Sequence, residues 1–123
     1  MINAVLKSYE ENDTGAKYIF ETDVNRLANY IQEFFKREGY QLQEGTPEDG
    51  DYVKGSSGLM RTILGGLVDR YKFNVCIYDE DGKTVLMLYK GMTGAMGGLW
   101  GFDRMRIETK RIREKINAES IHK

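Results

Sequence analysis

Five glycines, Gly91, Gly94, Gly97, Gly98 and Gly101, fall within the stretch Lys90 to Phe102, KGMTGAMGGLWGF, after a strand-like run and before a charged helical one. As a loop, this stretch permits positive φ and a tight path, with backbone amides turned toward an anion at the start of the following helix. As a helix, Gly91, Gly94, Ala95, Gly98 and Gly101 form a smooth small-residue face, while Met92, Met96 and Leu99 recur at i, i+4 and i+7 on another. Each interior glycine costs a helix about 0.8–1 kcal/mol relative to alanine, so the helical form requires close contact with a sheet, another chain or lipid. The spacing matches neither G-x-G-x-x-G nor G-x-x-x-x-G-K-[ST], which favours packing or partner contact over a nucleotide cradle. On that reading the contact residues are Gly91, Met92, Gly94, Met96, Gly97, Gly98, Leu99 and Trp100, with Lys54, Arg61 and Lys90 as nearby cations.

Other raw material for chemistry is sparse. The single histidine, His122, stands two residues from the end, and the single cysteine, Cys76, lies in mid-strand. Neither a zinc site nor a cysteine–histidine nucleophile can be assembled from that pair. Carboxylates cluster at Glu10–Asp13, Glu48–Asp51 and Asp79–Asp81, where solvated turns account for them, and no acid/base pair stands apart from this background. The DEDG tip at 79–82 lacks the repeated oxygen ligands and distant glutamate of a calcium loop. KGSSG at 54–58 lacks a Gly-Lys-Ser/Thr ending and reads as a glycine-serine bend. The expectation is a protein that is not an enzyme and needs no cofactor or metal.

Composition sets the frame for these residues. A chain of 123 residues supports one hydrophobic core, so a single α+β domain spanning 1–123 is expected, with a flexible tail at about 120–123. Eighteen basic and nineteen acidic residues leave a net charge of −1, which disfavours nucleic acid as a partner. The lone cysteine excludes an internal disulfide, no leader pattern opens the chain, and no run approaches the ~18 apolar residues of a membrane span. A cytoplasmic location is the expectation, with peripheral membrane contact left open.

The elements that position these residues follow from hydrophobic period. Val24, Leu27, Ala28, Ile31, Phe34 and Phe35 mark one face of an amphipathic helix over 23–38, capped by Asp23 and stopped by Gly39. Strands are expected near 2–9, 16–21, 40–44 and 51–54, with Thr46–Gly50 as a turn around Pro47. Tyr71, Phe73, Val75 and Ile77 alternate with polar residues and form a hairpin with 83–89. The latter strand is apolar on both faces and is expected to be a central strand or one covered on both sides. Leu59 to Val68 is a second apolar stretch, interrupted by Gly65 and Gly66, readable as a short helix or as a bend between extended segments. A C-terminal helix over about 102–119 carries a narrow stripe of Met105, Thr109, Ile112 and Ile116. Its bases, Arg104, Arg106, Lys110, Arg111, Arg113 and Lys115, are interspersed with acids in the manner of a solvated face.

The fold expected is therefore α+β: an antiparallel sheet of about five or six strands packed against helix 23–38 and the C-terminal helix. The first functional reading is a non-catalytic binding or assembly module. It would be a homo-oligomer or bind an unknown protein partner through the apolar glycine- and methionine-rich segments 59–68 and 92–102. The second is a site for a small anionic ligand or phospholipid headgroup at 91–101, with Lys54, Arg61, Arg70, Lys72 or Lys90 converging on it.

Overall fold

A computed structural model of the chain describes residues 2–12, 15–55, 70–90 and 98–122. In chain order the elements are β1 (Val5–Glu11), β2 (Gly15–Glu21), α1 (Val24–Arg37), β3 (Gln41–Thr46), β4 (Asp49–Gly55), β5 (Arg70–Glu80), β6 (Lys83–Lys90), α2 (Gly98–Glu119) and β7 (Ile121–His122). The strands form one mixed sheet in the order β3-β4-β5-β6-β2-β1-β7. Seven strands replace the expected five or six. The addition is Ile121–His122, assigned by the sequence to a flexible tail, which pairs in parallel with Val5–Leu6 instead. Two residues are too few to carry a periodic signal, and the pairing depends on α2 delivering them beside β1.

Both described helices lie on the same face of the sheet. The registers Leu42–Tyr52–Phe73 and Ile77–Leu86–Tyr18 place these side chains on one side, where they join Leu27, Ile31, Phe34 and Phe35 of α1 and Ile112 and Ile116 of α2 in a single core. The opposite face carries Ile19, Val85, Met87, Cys76 and Tyr78. β6 lies centrally, between β5 and β2, as its two-sided apolar pattern requires.

Local chemistry explains the ends of α1. Asp23 accepts the Arg26 amide at 2.8 Å, satisfying one of the free N–H groups of the first turn. At the other end Gly39 takes φ +90°, its N–H bonds the Lys36 carbonyl, and the Tyr40 N–H bonds the Phe35 carbonyl. This is the Schellman arrangement, and its usual apolar contact is present: the Tyr40 ring meets Phe35 edge-on at 5.2 Å. The stop signal at Gly39 thus also turns Tyr40 into the core.

The β3–β4 hairpin depends on another glycine. Gly45 has φ +82°, and a Cβ placed there would lie 2.2 Å from the Asp49 carbonyl oxygen and 2.8 Å from the Gly50 Cα. Gly45→Ala is expected to cost about 2 kcal/mol through left-handed strain plus this backbone clash. At Gly82, which has φ +78° and nothing within 4 Å of a Cβ, alanine meets only the backbone penalty and is expected to cost about 1 kcal/mol. Urea unfolding of the two variants checks the difference.

α2 begins at Gly98, four residues earlier than expected, so Gly98 and Gly101 stand in a helix rather than a loop. The middle of its narrow stripe is as read: Ile112 and Ile116 are fully buried, Thr109 nearly so. Glu108 is also buried, and its partners are Arg111 and the distant Tyr40.

Candidate binding surface

The strand registers bring the attachment points of both glycine-rich segments to one end of the sheet. Gly55 pairs with Arg70 across β4 and β5, and Phe73, three residues further along β5, pairs with Lys90 at the end of β6. At about 3.4 Å per residue, these two rows are about 10 Å apart. Segment 56–69 therefore departs from and returns to the same sheet end from which 91–97 departs toward α2. Gly91, Met92, Gly94, Met96 and Gly97, together with Arg61 and the 59–68 stretch, lie outside the described residues. Gly98, Leu99 and Trp100 form the start of α2.

Among the described cations, Lys54, Lys72 and Lys90 do not gather at that end as one group. The Lys54 ammonium sits 5.7 Å from the Tyr40 ring centroid, a cation–π contact at the helix-covered face. Lys72 points to the opposite face, 3.6 Å from Asp51. Lys90 faces α2 and lines a cleft of about 530 Å³ that also involves the end of β1. Alternation along the strands separates two of them: Lys72 lies one residue out of phase with Phe73, the partner of Lys90, so Lys72 and Lys90 point to opposite faces of the sheet.

That cleft has its own basic wall. Arg106, Lys110 and Arg113 recur at i, i+4 and i+7 along α2 and face Lys90, with Glu11 and Glu114 at the margin. The Arg113 side chain is only 12% exposed, and its Nη1 lies 3.6 Å from Glu11 Oε2. Its Nε and Nη2 are buried without a hydrogen-bond partner. Beside it, Tyr18 donates weakly to the Arg113 carbonyl at 3.5 Å and stacks on Tyr9 at 5.3 Å. Burial pushes the Tyr9 hydroxyl above its ordinary pKa, and the nearby Glu11 carboxylate adds to the effect.

A second polar cluster joins the two helices. Tyr40 donates to Glu108 Oε2 at 2.5 Å, and Arg111 donates to both Glu108 oxygens at 2.8 Å. Arg111 also bonds Glu38 Oε1 at 2.5 Å, and Lys115 bonds Glu38 Oε2 at 2.8 Å. Burial works to raise the carboxyls of Glu38 and Glu108, but the bonds from Lys115, Arg111 and Tyr40 outweigh it and hold both below the usual range. Every carboxylate oxygen here accepts a bond from within the cluster, so it acts as a clamp between α1 and α2 rather than as an open acid/base site.

The remaining candidates are structural as well. The Cys76 thiol is raised by burial and by Asp49, away from the thiolate needed for reactivity. The His122 Nε2 lies 2.6 Å from the Asn117 carbonyl. Among the described residues, no group of three or more His, Cys, Asp or Glu is placed to hold a metal ion, and no helix is long and apolar enough to cross a membrane.

Sequence reading missed Glu38, Tyr40, Glu108 and Arg113 as a functional or structural set. A signal existed for Glu108, which stands at i−4 from Ile112 on the buried stripe. For Arg113 none did, since its burial comes from β1 and β2 lying across α2. Comparison with protein-family models, with curated proteins and with solved structures finds no match to this chain.

Proposed function

We propose that this chain is a non-catalytic binding module that associates with a second copy of itself through the apolar glycine- and methionine-rich segments 56–69 and 91–97 together with the start of α2. The observation that supports this reading is the shared sheet end: two segments separated in sequence by β5 and β6 are tethered about 10 Å apart, at Arg70 and Lys90. Anchorage at one sheet end allows both segments to contribute to a single contact surface. Small residues at Gly94, Gly97 and Gly98 permit close backbone approach, and Met60, Met92 and Met96 supply adaptable apolar contact.

The experiment is light scattering of the purified chain over a concentration series. A dimer is expected, and Met96→Glu is expected to shift it to monomer, because a carboxylate buried in an apolar interface lacks a partner. A monomer at every concentration, or a dimer indifferent to Met96→Glu, overturns the reading.

A further inference from the structure

The polar cluster between the helices does more than hold α1 to α2, because its members stand on the routes to the proposed contact surface. Lys54 precedes Gly55, the last residue of β4 before segment 56–69, and its ammonium lies 5.7 Å from the Tyr40 ring centroid. Its stem passes over Gly39, where a Cβ would lie 3.4 Å from the Lys54 Cε. Tyr40 in turn donates to Glu108 Oε2 at 2.5 Å. Glu108 belongs to α2, the helix that begins at Gly98, where segment 91–97 ends. Contacts from Lys54 through Tyr40 to Glu108 thus join the departure point of one segment to the helix that follows the other.

Among the described side chains of α2, Glu108 is the buried one nearest to the helix start, since Arg106 and Ile107 before it are exposed. From Glu108 back to Gly98 the helix rises about 15 Å, so a tilt of about 15° at this anchor moves the start by about 4 Å. That displacement is as large as the range of an apolar contact. Ile112 and Ile116 seat α2 on the sheet, but apolar burial is non-directional and does not fix such a tilt. The paired bonds of Arg111 to Glu108, both 2.8 Å, and the Tyr40 bond are directional. Arg111 also reaches Glu38 at the end of α1, which refers the tilt of α2 to the first helix as well.

We propose that Glu108 is a positioning residue for the association of two copies of this chain, a role that rests on self-association through the surface described above. With Tyr40 and Lys54, it fixes the start of α2 relative to the point where segment 56–69 leaves the sheet, so that a second copy meets both in one geometry. Loss of the bonds to Glu108 removes no residue of the contact surface. It frees the start of α2 to swing, and a second copy must then immobilise that start on binding, which weakens association.

Sedimentation velocity of the full chain over a concentration series at neutral pH reads the dimer dissociation constant, with far-UV circular dichroism confirming the fold of each variant. Glu108→Gln keeps the size of the side chain and loses its charge pairing with Arg111, and it is expected to weaken the dimer about tenfold. Tyr40→Phe keeps the ring and loses one directional bond, with an expected weakening of about fivefold; it decides alone if Glu108→Gln does not fold. Gly45→Ala, at the opposite end of β4, also destabilises the chain but is expected to leave the dissociation constant within about twofold. A wild-type dimer that is lost in Met96→Glu yet unchanged in Glu108→Gln overturns the positioning role alone. An equal weakening in Gly45→Ala also overturns it, because destabilisation by itself then suffices. A wild-type chain that stays monomeric at every concentration overturns self-association and the positioning role with it.

Discussion

Phe35→Ala is expected to lower the free energy of unfolding by about 4 kcal/mol, the largest effect of any single truncation in the core. Phe35 is fully buried and stacks on Tyr52 at a centroid distance of 4.6 Å. Its ring also meets Tyr40, Phe34 and Phe73 at 5.2, 5.3 and 5.9 Å. It is the point at which α1, its C-terminal stop and strands β4 and β5 come together. Alanine removes the transfer free energy of a ring and leaves a cavity walled by other rings, which are held by the sheet and do not collapse into it. Urea unfolding should show a lower midpoint with little change in slope. Ile107→Ala is the control: Ile107 is 65% exposed, and its truncation should change stability by no more than about 0.5 kcal/mol. A Phe35→Ala loss below about 1 kcal/mol would mean that α1 does not pack on the sheet as described.

Glu108→Ala is expected to cost about 3 kcal/mol. The Glu108 side chain is 9% exposed and accepts from both Tyr40 and Arg111. Its removal leaves a buried hydroxyl without an acceptor and a guanidinium with only Glu38. Tyr40→Phe, which removes one donor and keeps the ring, should cost much less, about 1 kcal/mol. The same cluster sets the acid response. Glu38 and Glu108 have carboxyls held below their ordinary values in the folded chain. The stability they contribute is therefore complete above the unfolded carboxylate pKa of about 4.3 and is lost as pH falls through their lower folded values. Stability measured from pH 6 downward should decline most steeply below about pH 4. Glu108→Ala should flatten that decline, because one of the two linked groups is gone. An equally steep decline in the variant would show that other carboxylates carry the acid sensitivity.

α1 and the β5–β6 hairpin were legible because their signals are local. Leu27, Ile31, Phe34 and Phe35 recur at helical spacing, and Asp23 and Gly39 bond amides and carbonyls within four or five residues of themselves. Phe73, Val75 and Ile77 alternate at the period of a strand, and the two-residue turn at Asp81–Gly82, with φ of +52° and +78°, sets their register with β6. The α+β class, the central place of β6 and one helix-covered sheet face follow from such periods alone.

What lies between distant residues was decided by tertiary structure. Glu108 reaches Tyr40 across 68 positions of sequence, and Ile121 joins β1 only because α2 ends there. An isolated charge on a helix resembles any other solvated charge until a second element covers it. Arg113 had that appearance, and the surfaces of β1 and β2 turn it into a buried cation with two free donors. The glycine-rich segments were visible from composition, but their attachment to one sheet end depends on the order β4-β5-β6 and on a register spanning 36 residues from Gly55 to Lys90, counted inclusively. Local sequence sets which residues prefer helix or strand, while partners, burial and charge balance arise only when the elements pack, because they depend on which surfaces exclude water from one another.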